Sequence, residues 1–325
     1  MRSDAQLLLL DKAQVHALLQ TDDVLDAVRE AFVLHSRQEG RVFPVIREAL
    51  GSNAVFGIKA GDVPSEALLG FKAAGFWPDN RRIGGDSHQA TIILIDPATG
   101  RPVCIIDGNA VTTLRTGAAG ALGLQQLARA ESTRLCLFGT GVQGRIQLKF
   151  ALRAMPNLRH LLYVNAAGRP DEAFEAELRG ERDIDIAHTT DRNAAVAQSD
   201  VVITATSGRS ALFDADAVRP GTHLNCVGTD TRGKRELPIG LLNRARVVAD
   251  DRVQAAQIGE SQWSPGTDCM ELGDLLTGKA LLDRQPGDVT VFDMTGLALQ
   301  DLTVARMLQT KAVNCHSGTR VAWPW

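Results

Sequence analysis

Leu135-Cys136-Leu137-Phe138 is a short apolar run that passes directly into Gly139-Thr140-Gly141-Val142-Gln143-Gly144 and then into a helical stretch. Each glycine has a task in a strand–turn–helix unit. Gly139 makes the tight turn, Gly141 lets the backbone approach a bound group, and Gly144 lets the helix pack on the strand. A helix start offers free N–H groups and the positive end of its dipole, which suit paired phosphates. The loop therefore predicts a dinucleotide site, with Gly139, Thr140, Gly141, Val142 and Gln143 against the pyrophosphate.

Strand-like runs then alternate with helical ones: Leu161–Val164, Ile184–Ile186, Val201–Ala205, His223–Val227, Val247–Ala249 and Val289–Phe292. That alternation predicts parallel βαβ units. Ligands of such sheets lie beyond the carboxyl ends of the strands. Ala205, Thr206, Val227 and Gly228 are accordingly candidates for cofactor contact. The second strand ends at Asn165, where an acid would grip the adenosine ribose of NAD. Asn165 can bond a ribose without repelling a 2′-phosphate, and nearby Arg169 is either such a phosphate's partner or a solvated turn residue. NAD(H) and NADP(H) both stay open, NAD(H) slightly preferred.

The N-terminal third carries no phosphate loop. Thr21-Asp22-Asp23 predicts an N-cap for a helix with Val24, Val28 and Phe32 on one face. Strand runs follow at Val42–Ile46, Ala54–Ile58, Leu68–Phe71, Ala90–Ile95 and Val103–Ile106, and Asp107-Gly108-Asn109 reads as a hairpin turn. Leu114 to Arg129 predicts a long helix whose three glycines imply close packing. Leu297–Leu308 predicts a last helix, and Cys315–Trp325 shows no periodicity. The expected architecture is α/β. A Rossmann-type doubly wound parallel sheet over residues 113–299 is inserted in a mixed α+β substrate and dimerisation domain formed by 1–112 plus 300–325.

A formal net charge of −3 over 325 residues leaves no basic stripe for nucleic acid or an anionic membrane. No run approaches the ~20 apolar residues of a membrane span, and Leu7–Leu10 ahead of Asp11 is too short for a signal peptide. The five cysteines include no C-x-x-C pair and the seven histidines lie far apart, so no metal is expected and a reducing, cytoplasmic setting is.

Two polar clusters carry candidate chemistry. Asp230 and Lys234 follow the strand His223–Val227. Burial there would raise the Asp230 pKa while Lys234 would lower it, which suits a proton donor to substrate nitrogen; the other reading is a helix cap. Arg47, Lys59, Lys72, Ser87, His88 and Arg115 form the second set. Lysines inside strands usually face solvent, but two of them with an arginine on neighbouring strands would also make an anion pocket. His88 by itself reads as a hydrogen-bonded sheet residue.

Leu114-Arg115-Thr116-Gly117-Ala118-Ala119, the glycine loop, Gly228-Thr229-Asp230 through Lys234, and Phe292-Asp293-Met294-Thr295-Gly296-Leu297-Ala298-Leu299-Gln300-Asp301 together resemble the ornithine cyclodeaminase/mu-crystallin family over essentially the whole chain. The resemblance implies a homodimer acting on a small amino or imino acid. Arg47, Lys72 and Arg115 would bind its carboxylate, with Lys72 and Asp230 catalytic. Ser87 stands where cyclodeaminases carry a substrate-binding threonine, and Thr116, Lys234 and Gly296 join the cofactor-contact set. Lys59 stands where cyclodeaminases carry a glutamate, which favours a second anionic group on the substrate. Phe43-Pro44 through Arg47-Glu48-Ala49-Leu50, Trp77-Pro78-Asp79-Asn80 and His88-Gln89 resemble the branch that reduces iminosuccinate. The implied activity is hydride transfer between nicotinamide and the substrate Cα, as an imine reductase or amino-acid dehydrogenase. An ornithine cyclodeaminase and a non-catalytic, crystallin-like NAD(P)-binding protein are the alternatives.

Overall fold

The computed structural model describes residues 5–51 and 53–323; the outermost residues of the expected substrate domain, 1–4 and 324–325, lie outside them. The chain divides into two compact units, Met1–Arg115 with Leu297–Trp325, and Thr116–Gly296.

The first unit runs β1 (Gln6–Leu10), α1 (Lys12–Leu18), α2 (Thr21–Ser36), β2 (Arg41–Val42), β3 (Ile46–Ala49), β4 (Val55–Val63), β5 (Leu68–Phe76), β6 (His88–Ile95) and β7 (Pro102–Asp107), and then opens α3 (Gly108–Leu127). The second unit runs β8 (Arg134–Phe138), α4 (Val142–Ala154), β9 (His160–Val164), α5 (Glu172–Glu181), β10 (Asp185–His188), α6 (Arg192–Ala197), β11 (Val201–Thr204), β12 (His223–Cys226), β13 (Ala245–Ala249), α7 (Arg252–Ile258), β14 (Cys269–Glu271), α8 (Leu272–Thr277) and β15 (Val289–Asp293). The chain then returns to the first unit as α9 (Ala298–Asn314) and β16 (Thr319–Ala322).

The first unit's sheet has the order β16-β1-β7-β6-β5-β4-β2, with β3 also on β4. It is mixed, because β1 pairs β7 in parallel while the other pairs are antiparallel. Helix α9 packs on β4, β5 and β6 and against α2. Its approach is close at Gly70, where a Cβ would stand 2.9 Å from Leu302 Cδ2. Ile92, Leu94, Cys104 and Ile106 complete the buried inner face.

In the second unit the order β10-β9-β8-β11-β12-β15-β13-β14 is parallel throughout. The order reverses between β8 and β11, where ligands of doubly wound sheets gather. The glycine-rich half of α3 is packed hard within this unit. A Cβ at Gly117 would meet Phe150 of α4 at 2.5 Å, and one at Gly123 would meet Phe292 of β15 at 2.3 Å.

Several local expectations are corrected. Asp107-Gly108-Asn109 is a strand-to-helix junction instead of a hairpin turn: Asp107 Oδ1 accepts from Asn109 N at 3.2 Å, and α3 begins at Gly108. Val42–Ile46 is two strands, interrupted at Phe43-Pro44, where proline has no N–H for a ladder. Thr21 lies inside α2, whose N-cap is Gln20 with no side-chain bond. The unpatterned tail forms β16, which takes its order from pairing with β1 (Leu8 opposite Arg320).

Candidate active site

Pairing of β4 with β5 sets Lys59 opposite Lys72 and Gly61 opposite Gly70, so residues two apart on each strand share one face. That face lies under α9. Gly70 lets the helix approach, and Asp301 reaches Lys72, whose Nζ donates to Oδ1 at 2.8 Å and to Thr112 Oγ1 at 3.3 Å. Arg115 Nε donates to the same Oδ1 at 3.1 Å, and its Nη1 to Gln300 Oε1 at 3.1 Å. Lys72 is 4% exposed and Asp301 fully buried, so the solvated reading of this strand lysine is excluded.

The cluster's charges tune one another. Burial, then Arg115 and more weakly Lys59, push the Lys72 ammonium down to about 7, against the pull of Asp301. Burial pushes the Asp301 carboxyl up, but Lys72 and Arg115 together hold it below its usual range. His88, with Nδ1 3.2 Å from Asn109 Oδ1, is pushed down to about 4 by burial and then by Lys72, so it is neutral at physiological pH. Ser87 is buried and its Oγ has no partner among the described residues. Arg47, on β3, is half-buried with its side chain against Gly57 of β4. Two buried cations, Lys72 and Arg115, thus share one carboxylate oxygen of Asp301. Buried guanidinium and ammonium groups set side by side suit a carboxylate ligand.

In the second unit the glycine loop fits a pyrophosphate. Gly139 has φ +96°, and a Cβ on Gly144 would stand 1.9 Å from Gly139 O, whereas one on Gly141 would meet nothing within 4 Å. The third glycine is thus required by packing, and the second leaves open the space a phosphate would take. Helix α4 starts at Val142 with no side chain capping its first turn, so that turn's N–H groups stay available. Thr140 Oγ1 donates to Asp171, and Arg145 Nε donates to Thr140 O at 2.9 Å, which steadies the loop. Gln143 is half-buried. Asn165 Nδ2 donates to Arg169 O at 2.8 Å, closing the turn after β9 and leaving the Arg169 residue exposed.

The loops after β11 and β12 are tied by three buried acids, Glu236, Glu260 and Asp293. Glu236, fully buried, accepts from Thr206 N at 2.6 Å and Gly228 N at 2.9 Å. Glu260 Oε1 accepts from Thr229 Oγ1 and from Glu236 N, and Asp293 accepts from Glu260 N and Ser261 N. Their only signal in the sequence is a glutamate shortly after Asp230 and an aspartate closing β15. Ala205 and Val227 are half-buried at the two strand ends. Gly296 is buried, its N–H on Asp250 and its carbonyl on Gln254, so it serves packing of this unit; Thr116 O likewise accepts from Gln147.

For Asp230 two expectations are corrected. Its side chain is 35% exposed instead of buried, because it lies in a loop four residues past the end of β12; its buried neighbour is Thr229. It caps no helix: its Oδ1 accepts from Lys234 Nζ at 3.1 Å and Thr231 Oγ1 at 3.1 Å.

Burial pushes the Glu260 carboxyl up to about 8 against the Thr229 hydrogen bond, with Asp293 adding to the rise. Between the ordinary carboxyl range and that value the folded protein holds a proton that the unfolded chain lacks. Stability is therefore lost as pH rises through this window, on the order of 1 kcal/mol per pH unit. Glu260→Gln should accordingly gain in Tm relative to the parent as pH goes from about 5 to about 8. A Tm difference independent of pH would mean that Glu260 is ionised in the fold.

The doubly wound sheet and the open glycine loop define a dinucleotide-binding fold. More particularly, the chain belongs to the ornithine cyclodeaminase/mu-crystallin family, whose family model matches residues 6–316. It is 33% identical over 321 residues to the iminosuccinate reductase of Paracoccus denitrificans, covering 92% of this chain and 95% of that one. The structure of that enzyme in complex with NAD+ superimposes with a TM-score of 0.86 at 31% identity, over 98% of this chain and 99% of that one. An archaeal alanine dehydrogenase dimer with bound NAD gives a TM-score of 0.90 at 28% identity, over 98% and 100%. The Thermococcus litoralis Δ1-pyrroline-2-carboxylate reductase in complex with NADH and L-proline gives 0.89 at 26%, over 97% and 100%.

Proposed function

We propose that the protein is an NAD(H)-dependent reductase of small α-imino acids, or the corresponding amino-acid dehydrogenase, with a dicarboxylic substrate. The observation that carries this reading is the meeting of two buried cations, Lys72 and Arg115, on one carboxylate oxygen of Asp301, with the half-buried Lys59 across the strand pair. Arg115 and Lys72 bind the α-carboxylate with Arg47 beside them, and Lys59 takes the second carboxylate. Ser87 and neutral His88 offer hydrogen bonds at the same end of β6. Asp230 passes a proton to the substrate nitrogen, and Lys234 keeps it oriented. When bound, the reduced nicotinamide supplies the hydride to Cα. Gly139, Thr140, Gly141, Val142 and Gln143 hold its pyrophosphate. Asn165 meets the adenosine ribose, with Arg169 outside it, and Thr116, Ala205, Thr206, Val227 and Gly228 line the remaining contact set.

A panel assay tests this: NADH and NADPH oxidation with oxaloacetate, pyruvate and other 2-oxo acids in the presence of ammonium or methylamine. Fastest turnover with oxaloacetate, ammonium and NADH is expected. Robust release of ammonia and proline from ornithine by the unmutated protein would overturn the reading in favour of a cyclodeaminase.

The reading includes a homodimer through the first unit. Phe56, Ile58, Phe71, Ile93 and Ile105 alternate with the inward-facing residues of β4 to β7, lie on the face turned from α9, and are only partly buried. An apolar sheet face of this kind suits a second copy of the same face. Light scattering should give twice the 34.9 kDa chain mass; a monomer at micromolar concentration would refute the dimer. The five cysteines are free, which suits a reducing compartment such as the cytoplasm, and among the described residues no helix is long and apolar enough to cross a membrane.

A further inference from the structure

We propose that Asp301 is the positioning residue of the cationic cluster: its Oδ1 ties Lys72 of β5 and Arg115 of α3 into one fork and keeps Lys72 charged so that the pair can hold a carboxylate. The inference rests on the substrate class proposed above but makes a separate claim about how that class is held.

Three observations carry it. One carboxylate oxygen receives both cations, at 2.8 and 3.1 Å, from elements far apart in the chain. The helix that brings it packs on the sheet at Gly70, two residues from Lys72, where a Cβ would stand 2.9 Å from Leu302 Cδ2. The neighbouring Gln300 takes Arg115 Nη1 at 3.1 Å, so consecutive residues of α9 hold two in-plane donors of one guanidinium. A buried ion cluster is a poor device for stability alone, since apolar residues of similar volume often serve as well or better. A cluster left with surplus positive charge is poorer still, unless an anion completes it.

The groups facing Lys72 are Lys59 from β4, His88 from β6, Thr112 and Arg115 from α3, and Asp301 from α9. Of these only Asp301 raises the lysine's proton affinity by its charge. Burial and the two other cations lower it to about 7, so anion binding should be strong below that pH and fade above it. Without the Asp301 charge the fading should begin at lower pH.

The test is a pH titration of the protein labelled with 13C at the lysine ε-carbon. One lysine resonance should titrate near pH 7 and be missing in Lys72→Arg. In Asp301→Asn that midpoint should fall by at least one pH unit. A midpoint unmoved in a folded Asp301→Asn protein would overturn the proposal. Should that variant not fold, the wild-type protein labelled at the aspartate γ-carbon decides. Its Asp301 carboxyl carbon should report the Lys72 midpoint, and a resonance flat through that range would overturn the proposal equally. A second arm follows succinate binding to the NAD+ complex by calorimetry. Affinity should fade above about pH 7 in the parent, fade earlier in Asp301→Asn, and persist to higher pH in Lys72→Arg, whose guanidinium stays charged. If the titrations behave as stated and succinate does not bind, the dicarboxylic reading fails while the role of Asp301 stands.

Discussion

Asp230→Asn is expected to lower turnover with an imine substrate by roughly 10²–10⁴, the usual worth of general acid–base catalysis, while leaving NADH affinity within about twofold. The substitution keeps volume and hydrogen bonding but removes the exchangeable proton. Asp230 is suited to the task by position: its carboxylate is partly exposed, bonded to Lys234 and Thr231, and follows a loop pinned by Glu236 and Glu260. Because the buried acids pin that loop and the Asp230–Lys234 pair is partly exposed, the variant should fold with a Tm close to the parent's. A loss confined to kcat would mark an interaction made in the transition state. Steady-state kinetics on the imine decides, and unchanged turnover would leave Asp230 as no more than the partner of Lys234.

Lys59→Glu is expected to separate the dicarboxylic reading from the cyclodeaminase one. On the proposed reading Arg47, Lys72 and Arg115 would serve an α-carboxylate in either case, so only the far end of the substrate discriminates. An ion pair at ~4 Å and an effective dielectric near 20 is worth about 4 kcal/mol, and reversing its sign turns that attraction into repulsion. Lys59 is half-buried, so water reduces the figure, and a loss of at least ~10²-fold in kcat/KM for oxaloacetate plus ammonium is the expected reading. Pyruvate, which lacks the second carboxylate, should be much less affected. Equal losses on both substrates would show that Lys59 acts only through Lys72, its cross-strand partner. Any gain in ornithine turnover should be small, since a new charge alone seldom supplies a full binding geometry.

The dinucleotide loop was legible because its constraints are local. A tight turn, an open backbone and a close helix each need a glycine within six residues, and Gly139, Gly141 and Gly144 occupy those places in the structure. The parallel strands were legible for a related reason: an apolar run bounded by turn residues carries its own period. Where a segment takes its conformation from a distant partner, local reading failed. The tail is a strand only because β1 offers it a ladder, and Asp107-Gly108-Asn109 opens a helix that a dipeptide pattern cannot distinguish from a hairpin.

The candidate site divides along the same line. Residue type and strand placement made Lys59, Lys72 and Asp230 candidates, while Arg115, on a helix, stood out through the motif Leu114–Ala119. Whether a lysine on a strand meets water or a carboxylate depends on what covers that face of the sheet, and the cover is a helix 229 residues away in the chain, carrying Asp301. Burial of Glu236 and Glu260, and the partial exposure of Asp230, likewise follow from how loops at the ends of separate strands settle on one another. Sequence by itself determined the backbone units and the kinds of charge they carry, because those follow from neighbours along the chain. Only the tertiary structure decided which charges share a buried space, because desolvation and Coulomb attraction act through distance in space.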